Sequence, residues 1–326
     1  MINIFISKHH TYTIKPFLKT WPHKAASCIR LVYYQDLHRI QNVTPGLFVF
    51  ADIDRLTKKQ RQLAEMLCQK ISDVSGNNLL NNPAKVLSRC QLLTLLWEKG
   101  INQYRVHSLS EAEKSMRYPV FIRRANDHYG SLTGLIVNKE NYYDQYRRLK
   151  KRGEDPEQMI AVEFCDTRDK EGFFRKYSAF RIGDRIIPGH IIFSREWVTK
   201  DMPPEPLREE EKQYLEDNPH QNELKKIFDL ANIEYGRIDY GLFNGKIQVW
   251  EINTNPVIIQ KRGKYSKDKI VFKQKLVNEI ADAFLWRHTH AEASWKQSKT
   301  IDGSFASSVS LSRLQQFARI VCPLKI

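Results

Sequence analysis

The chain has 326 residues and a mass of 38.4 kDa, about twice the ~150-residue prior for one domain, so several compact units are expected and a small peptide module is excluded. Lys and Arg total 52 against 37 Asp and Glu, a net charge of +15, which points to an anionic partner. Hydrophobic residues at 41%, with 11% aromatics, supply enough apolar surface to offset chain entropy and exclude wholesale disorder.

No apolar run approaches the ~18 to 20 residues of a bilayer span, and Leu47–Ala51 and Leu92–Trp97 have the lengths of a core strand and part of a core helix. The segment Met1–His10 has no basic lead and too short an apolar stretch for a signal peptide, so it reads as a first strand in a cytoplasmic protein. Ile2–Ile6, Ile29–Tyr34 and Leu47–Phe50 are strand-like, and a helical pattern runs from about Thr57 to Ile71 with Asp54 as a possible cap. This alternation favours a small unit with a parallel sheet. Ser75–Pro83 is dense in turn formers and is the best linker.

Pro83 suits a first helical turn, and Val86, Leu87, Cys90, Leu93, Leu96 and Trp97 recur at helical spacing up to Gly100, predicting one helix. Strands are expected at Val120–Arg123 and Leu135–Asn138, a charged helix at Glu140–Arg152, and further strands at Met159–Cys165, Arg175–Ile182 and Arg185–Phe193. Residues Asp201–Leu230, with Pro203-Pro204, read as an exposed loop and helices without chemistry. Five cysteines, Cys28, Cys68, Cys90, Cys165 and Cys322, are odd in number and never spaced Cys-x-x-Cys, against a disulfide framework or zinc ribbon.

The most informative segment is Tyr235–Pro256, where Asn244-Gly245 between two β-rich runs signals a hairpin. Asp239 falls on its first strand, Glu251 and Asn253 on one face of the second. A two-residue turn would set Asp239 opposite Trp250 and turn Glu251 to the other face. A three-residue Phe243-Asn244-Gly245 loop, or a compensating bulge, would bring Asp239, Glu251 and Asn253 together, and that arrangement is expected. Carboxylates and an amide with no His or Cys suit a hard cation, Mg²⁺ with Mn²⁺ as an alternative, beside a phosphate-bearing substrate.

With this hairpin the chain resembles the ATP-grasp superfamily, whose metal site has Asp on one strand and Glu-x-Asn on the next. Asn82-Pro-Ala-Lys85 is similar to the stretch where a Lys before a helix reaches the nucleotide phosphates. Tyr118-Pro-Val-Phe-Ile-Arg123 resembles the strand supplying a second cation, with Arg123 where the family has Lys. The loop with Gly130, Ser131 and Gly134 corresponds to the phosphate lid, and Ile160-Ala-Val-Glu163-Phe164 to the hinge whose backbone reads adenine. The resemblance covers about residues 80 to 256. It implies an α/β (α+β) ATP-grasp fold, divided as an N-terminal Rossmann-like domain over 1–78, grasping subdomains over 79–158 and 159–260, and a helical C-terminal extension over 261–326.

The implied activity is an ATP-dependent carboxylate–amine (or thiol) ligase of the glutathione synthetase and glutamate ligase type, acting through an acyl phosphate on an amino acid, peptide or related acid. Its implied cofactors are ATP and Mg²⁺, with cofactor contacts from Lys85, Arg123, Gly130, Ser131, Glu163 and Phe164 and metal ligands Asp239, Glu251 and Asn253. Arg175, Lys176, Arg181 and Arg237 are candidates for holding the transferred phosphoryl group or a substrate carboxylate. Arg237 shares the face of Asp239, whereas Arg175 and Lys176 point oppositely, so at most one of that pair faces inward. The Asp-x-Arg feature of ribosomal-protein glutamate ligases is absent around Arg175, so that substrate is not carried over.

The alternatives are a kinase-like phosphotransferase of the same fold and a nucleotide- or nucleic-acid-binding protein without turnover. No basic helix or aromatic-basic sheet motif supports a nucleic acid partner. Phosphate-loop, dinucleotide, zinc-protease and serine-hydrolase motifs are absent. His9-His10 and His288-Thr-His290 lack partners at metal spacing and are expected to be solvated, His190 to be structural and Cys165 a small core residue. Partners are small-molecule or peptide substrates, without a membrane and with a homo-oligomer open. Residues 260–326 carry 13 basic and 5 acidic residues, over half of the charge surplus.

Overall fold

The computed structural model describes residues 1–39, 42–43, 46–75, 78–109, 115–127, 129–198, 208–263, 267–302 and 309–310; side chains of 292–302 are outside the description. Cys322, His128, Gly76-Asn77 of the linker and Pro203-Pro204 lie outside the described residues.

The N-terminal unit contains β1 (Ile2–Ile6), α1 (Lys15–Thr20), β2 (Ile29–Tyr33), the short β3 (Asn42–Val43), β4 (Leu47–Phe50), α2 (Lys58–Ser75) and β5 (Leu79–Leu80). Strands β2-β1-β4-β5 form a parallel sheet in that order. Both faces are covered, so β4 reads as an unbroken apolar run and β1 as one interrupted by the buried Asn3. Phe5, Phe48 and Phe50 pack on Leu63, Leu67 and Ile71 of α2. Ile2, Ile4, Leu47 and Val49 pack on the opposite face with Phe17 and Trp21. Helix α2 starts later than expected because the Thr57 hydroxyl accepts from the Gln60 amide while the Gln60 side chain accepts from the Thr57 amide. Asp54 is therefore no cap, and its carboxylate accepts from the Thr254 hydroxyl instead.

The next segment holds α3 (Arg89–Glu98), β6 (Val106–Ser108), β7 (Val120–Arg124), α4 (Lys139–Lys151) and β8 (Met159–Glu163). Helix α3 begins six residues after Pro83. Ser88 and Gln91 form a capping box, while the Asn82 side chain accepts from the Ala84 amide and turns Pro83–Lys85 aside. Gly100, at φ +69, takes the left-handed step that ends the helix. No strand forms at 135–138; Ile136 makes one bridge to Val120, and Asn138 caps α4. The antiparallel sheet β6-β8-β7 packs Val120, Ile122 and Ala161 on Tyr142 and Leu149 of α4.

Strands β9 (Phe174–Ile182) and β10 (Arg185–Ser194), helices α5 (Arg208–Asp217) and α6 (Gln221–Ala231), and strands β11 (Tyr235–Phe243) and β12 (Lys246–Asn253) complete the body. Their antiparallel sheet has the order β10-β9-β11-β12. One face, with Tyr177, Ala179, Ile238 and Tyr240, is covered by Tyr214, Leu224 and Phe228 of α5 and α6. Helix α7 (Lys267–Asp302) sets Val277, Ile280 and Phe284 against Ile2 and Ile4 of the parallel sheet and Phe180 and Ile182 of the antiparallel one, so its apolar stripe joins the two. β13 (Val309–Ser310) pairs with β3. Among the described residues no helix is long and apolar enough to cross a membrane.

Candidate active site

Asn244 and Gly245 form a two-residue turn with φ +50 and +74, so Phe243 pairs with Lys246, and the three-residue loop is not used. From that turn Asp239 would oppose Trp250. A bulge between Val249 and Glu251 removes Trp250 from the ladder and pairs Asp239 directly with Glu251, Arg237 with Asn253. The extra residue thus does what the longer loop would have done. The outer edge of β12 explains why the bulge persists. Asn102, 1% exposed, donates to the Val249 carbonyl at 3.1 Å and accepts from its amide at 2.9 Å, while the Tyr104 hydroxyl also donates to that carbonyl. The next residue in the ladder, Gln248, accepts from the Gln103 amide at 2.7 Å. Segment 101–104 therefore saturates an edge that would otherwise be open, and fixes the backbone beside the bulge.

Four cations surround the two carboxylates. Arg237 donates from Nε and Nη2 to the two oxygens of Asp239 at 2.8 and 3.2 Å, and Lys176 Nζ lies 3.6 Å from Asp239 Oδ2. Arg89 Nη2 and Arg123 Nη2 meet Glu251 Oε2 at 2.6 and 3.1 Å. Burial pushes the Asp239 carboxyl upward, but the charges of Arg237 and Lys176 outweigh it and hold it below the usual carboxylate range. The four cations against two carboxylates leave a surplus of two positive charges. The Arg123 Nε–H is buried and meets no acceptor among the described residues. Asn253, 7% exposed, has its Oδ1 on the Asn255 amide at 2.8 Å.

His190 follows a second bulge, at Pro188–His190. Its Nδ1 lies 3.0 Å from the Ser178 hydroxyl, and Ser178 pairs across the sheet with Asp239. Burial, with Arg237 adding to it, pushes the imidazole pKa down to about 3, so His190 is a neutral structural neighbour of the site.

Of Arg175, Lys176 and Arg181 on β9, Lys176 alone turns toward Asp239. Arg175 faces the helical side, with Asp169 and with Glu210 of α5, and Arg181 pairs with Asp229 of α6 at 2.7 Å. Alternation along β9 decides this. Lys85 is exposed and lines a different cleft, with Asn82, Asp184, Glu234 and Arg287. It is Arg89, one turn further on, that meets Glu251. The Ser88-x-x-Gln91 capping pattern was the available signal, since it puts Arg89 in the first turn of α3. Arg89 Nη1 also donates to the carbonyls of Ala125 at 2.7 Å and Asp127 at 2.8 Å, which ties the start of the glycine loop to the carboxylates. Within that loop Gly130 sits at φ +92, and Ser131 bridges back to Arg123.

At the hinge the Glu163 amide donates to Arg105 O at 3.0 Å and the Phe164 amide to Pro119 O at 2.9 Å, so neither amide is offered to a base edge. The Glu163 side chain is 3% exposed and accepts from Arg105, His107 and Arg117. Burial alone would raise its carboxyl, but these hydrogen bonds together hold it well below the ordinary range. Glu163 therefore clamps β6 and the 117–119 turn to β8. His10, expected in solvent, instead pairs with a buried Asp52. No disulfide joins the described cysteines.

No protein-family model matches the chain, and no curated protein does so. Solved structures do. The D-alanine–D-alanine ligase of Coxiella burnetii superposes with a TM-score of 0.53 at 11% identity, over 92% of this chain and 97% of its own. The D-alanine–D-alanine ligase of Bacillus anthracis, complexed with ATP, gives 0.50 at 11% identity over 91% and 99%. The ATP-grasp ligase PsnB, complexed with a minimal precursor, gives 0.51 at 11% identity over 88% and 99%. At these identities the likeness is one of fold, and the chain has the ATP-grasp fold.

Proposed function

We propose that the chain is an ATP-dependent carboxylate–amine ligase that activates an amino acid, peptide or related acid as an acyl phosphate and passes the acyl group to an amine. The observation that carries this reading is the Asp239–Glu251 pair, directly opposed across β11 and β12 inside a ring of Arg89, Arg123, Lys176 and Arg237. Solved neighbours described as D-alanine–D-alanine ligases, one of them complexed with ATP, and as an ATP-grasp ligase complexed with a minimal precursor support it.

The donor set fits Mg²⁺, because Asp239 and Glu251 supply hard carboxylate oxygens and Asn253 an amide oxygen, and Mg²⁺ ordinarily takes one or two carboxylates with phosphates and water. When bound, the ion would neutralise charge on the phosphate oxygens. Among the described residues no group of three His, Cys, Asp or Glu side chains could hold a metal by itself, and two surplus positive charges oppose a bare dication. Asp239 and Glu251 would therefore hold the ion together with the polyphosphate, whose negative charge the two surplus positive charges would offset. Arg89 and Arg123 hold the polyphosphate, Arg123 through its unmatched Nε–H. Lys176 and Arg237, on the Asp239 side, face the transferred phosphoryl group or the acid that receives it. Acceleration comes from positioning and charge neutralisation.

The test is release of ADP and inorganic phosphate from Mg·ATP in the presence of amino acids and short peptides, with the amide product identified by mass spectrometry. Asp239→Asn and Glu251→Gln are expected to abolish ADP release with circular dichroism unchanged. Unaltered turnover in both overturns the site assignment, and ADP without inorganic phosphate identifies a phosphotransferase instead.

A further inference from the structure

The order β2-β1-β4-β5 places a topological switch point between β1 and β4, since the chain leaves β1 toward β2 and returns on the other side at β4. Open parallel sheets bind ligands in the crevice outside the carboxyl ends of the strands at such a point. The loops leaving those two ends meet there: His10 Nδ1 lies 2.7 Å from Asp52 Oδ2. Asp52 is fully buried and sits at φ +64, a left-handed conformation that costs free energy for a residue with a Cβ and that clusters at functional sites. The surroundings fix that carboxylate: its amide donates to Thr254 O at 3.2 Å, Asn255 Nδ2 lies 3.4 Å from Oδ1, and Arg55 Nη1 lies 3.6 Å away. The His10 side chain is 31% exposed, and its Nε2 makes no hydrogen bond to a described residue.

This pair is contiguous with the carboxylate hairpin. The Asn255 amide donates to Asn253 Oδ1 at 2.8 Å and its side chain lies 3.4 Å from the His10 carbonyl. A buried carboxylate on Nδ1 sets the tautomer that leaves the Nε2 lone pair outward, the arrangement of a general base. Amines reach a ligase as ammonium ions and cannot attack until a proton is removed.

We propose that His10, oriented by Asp52, is the base that deprotonates the acceptor amine; this rests on the ligase reading above. His10 Nε2 takes one proton from the ammonium group. The freed nitrogen pair forms the C–N bond at the acyl phosphate carbon, the C–O bond to phosphorus breaks with its electron pair leaving on phosphate, and the second nitrogen proton departs with that phosphate.

Hydroxylamine separates this role from a structural one, because it is already unprotonated near neutrality and needs no base. With Mg·ATP and an equimolar mixture of the twenty protein amino acids and D-alanine as probe, amide is measured by mass spectrometry and hydroxamate by its ferric complex. His10→Gln, and independently Asp52→Asn, should lower the ratio of amide to hydroxamate about 100-fold, the low end of what a positioned base contributes. An unchanged ratio in His10→Gln, whether both products fall together or neither falls, overturns the proposal. A wild-type protein that forms neither ADP nor hydroxamate overturns the ligase reading itself.

Discussion

Arg89 offers the sharpest test of how the fold and the site share one side chain. It is 8% exposed, and its guanidinium reaches Glu251 at 2.6 Å and the carbonyls of Ala125 and Asp127 at 2.7 and 2.8 Å. Replacing it with Met keeps most of the buried stem and deletes only the charged fork. Removing one partner of a buried pair costs about 3 to 5 kcal/mol, and the lower end applies because Arg123 still meets Glu251 at 3.1 Å. About 3 kcal/mol corresponds to a drop in Tm of roughly 4 °C for a chain of 326 residues. The same substitution halves the positive surplus of the pocket. For the wild type at a nucleotide concentration of about 100 Kd, Mg·ATP adds about 2.7 kcal/mol, and a 100-fold loss of affinity leaves about 0.4 kcal/mol. Urea unfolding with and without Mg·ATP reads both effects from the midpoint at constant slope. Arg89→Lys should recover much of the nucleotide effect and little of the loop latch, since an ammonium cannot bridge the carbonyls as a planar fork does. If Arg89→Met unfolds at the wild-type midpoint and keeps the full nucleotide shift, the reasoning about the ring of cations is wrong.

Asn102→Ala leaves the Val249 amide without its side-chain partner beside the bulge, and should cost about 2 kcal/mol while weakening Mg·ATP binding in calorimetry; an intact affinity would show that the bulge holds its register without Asn102. Gly236 lies where a Cβ would come 2.9 Å from the Asn253 carbonyl oxygen, so Gly236→Ala should cost about 1 to 3 kcal/mol and reduce nucleotide affinity, whereas a purely global loss of stability would separate Gly236 from the site. Glu163 has its carboxyl held below the ordinary value of 4.5 in the folded protein. Its contribution is therefore fully present above that pH and lost as pH falls toward the folded value, with a slope of up to about 1.4 kcal/mol per pH unit. Glu163→Gln should flatten the acid side of the stability curve, and parallel curves for the two proteins would refute the clamp.

The residue pattern by itself determined strands β1 and β4, the hairpin, and the placement of Asp239 on its first strand and of Glu251 and Asn253 on its second, because strand alternation and turn chemistry are local. It could not decide the register. A single unpaired Trp250 moves Glu251 from one face to the other, and the neighbouring Val249 is held by Asn102, 147 positions away along the chain. Lys85 and Arg89 illustrate the same limit: both are cations near the start of one helix, and the cap at Ser88 decided which of them turns toward the carboxylates. His10 and Asp52 stand 42 residues apart in loops with no motif of their own. Only the strand order, with β1 and β4 adjacent and their carboxyl ends level, brings them together, since long-range pairing is set by how two sheet faces find cover rather than by any local preference.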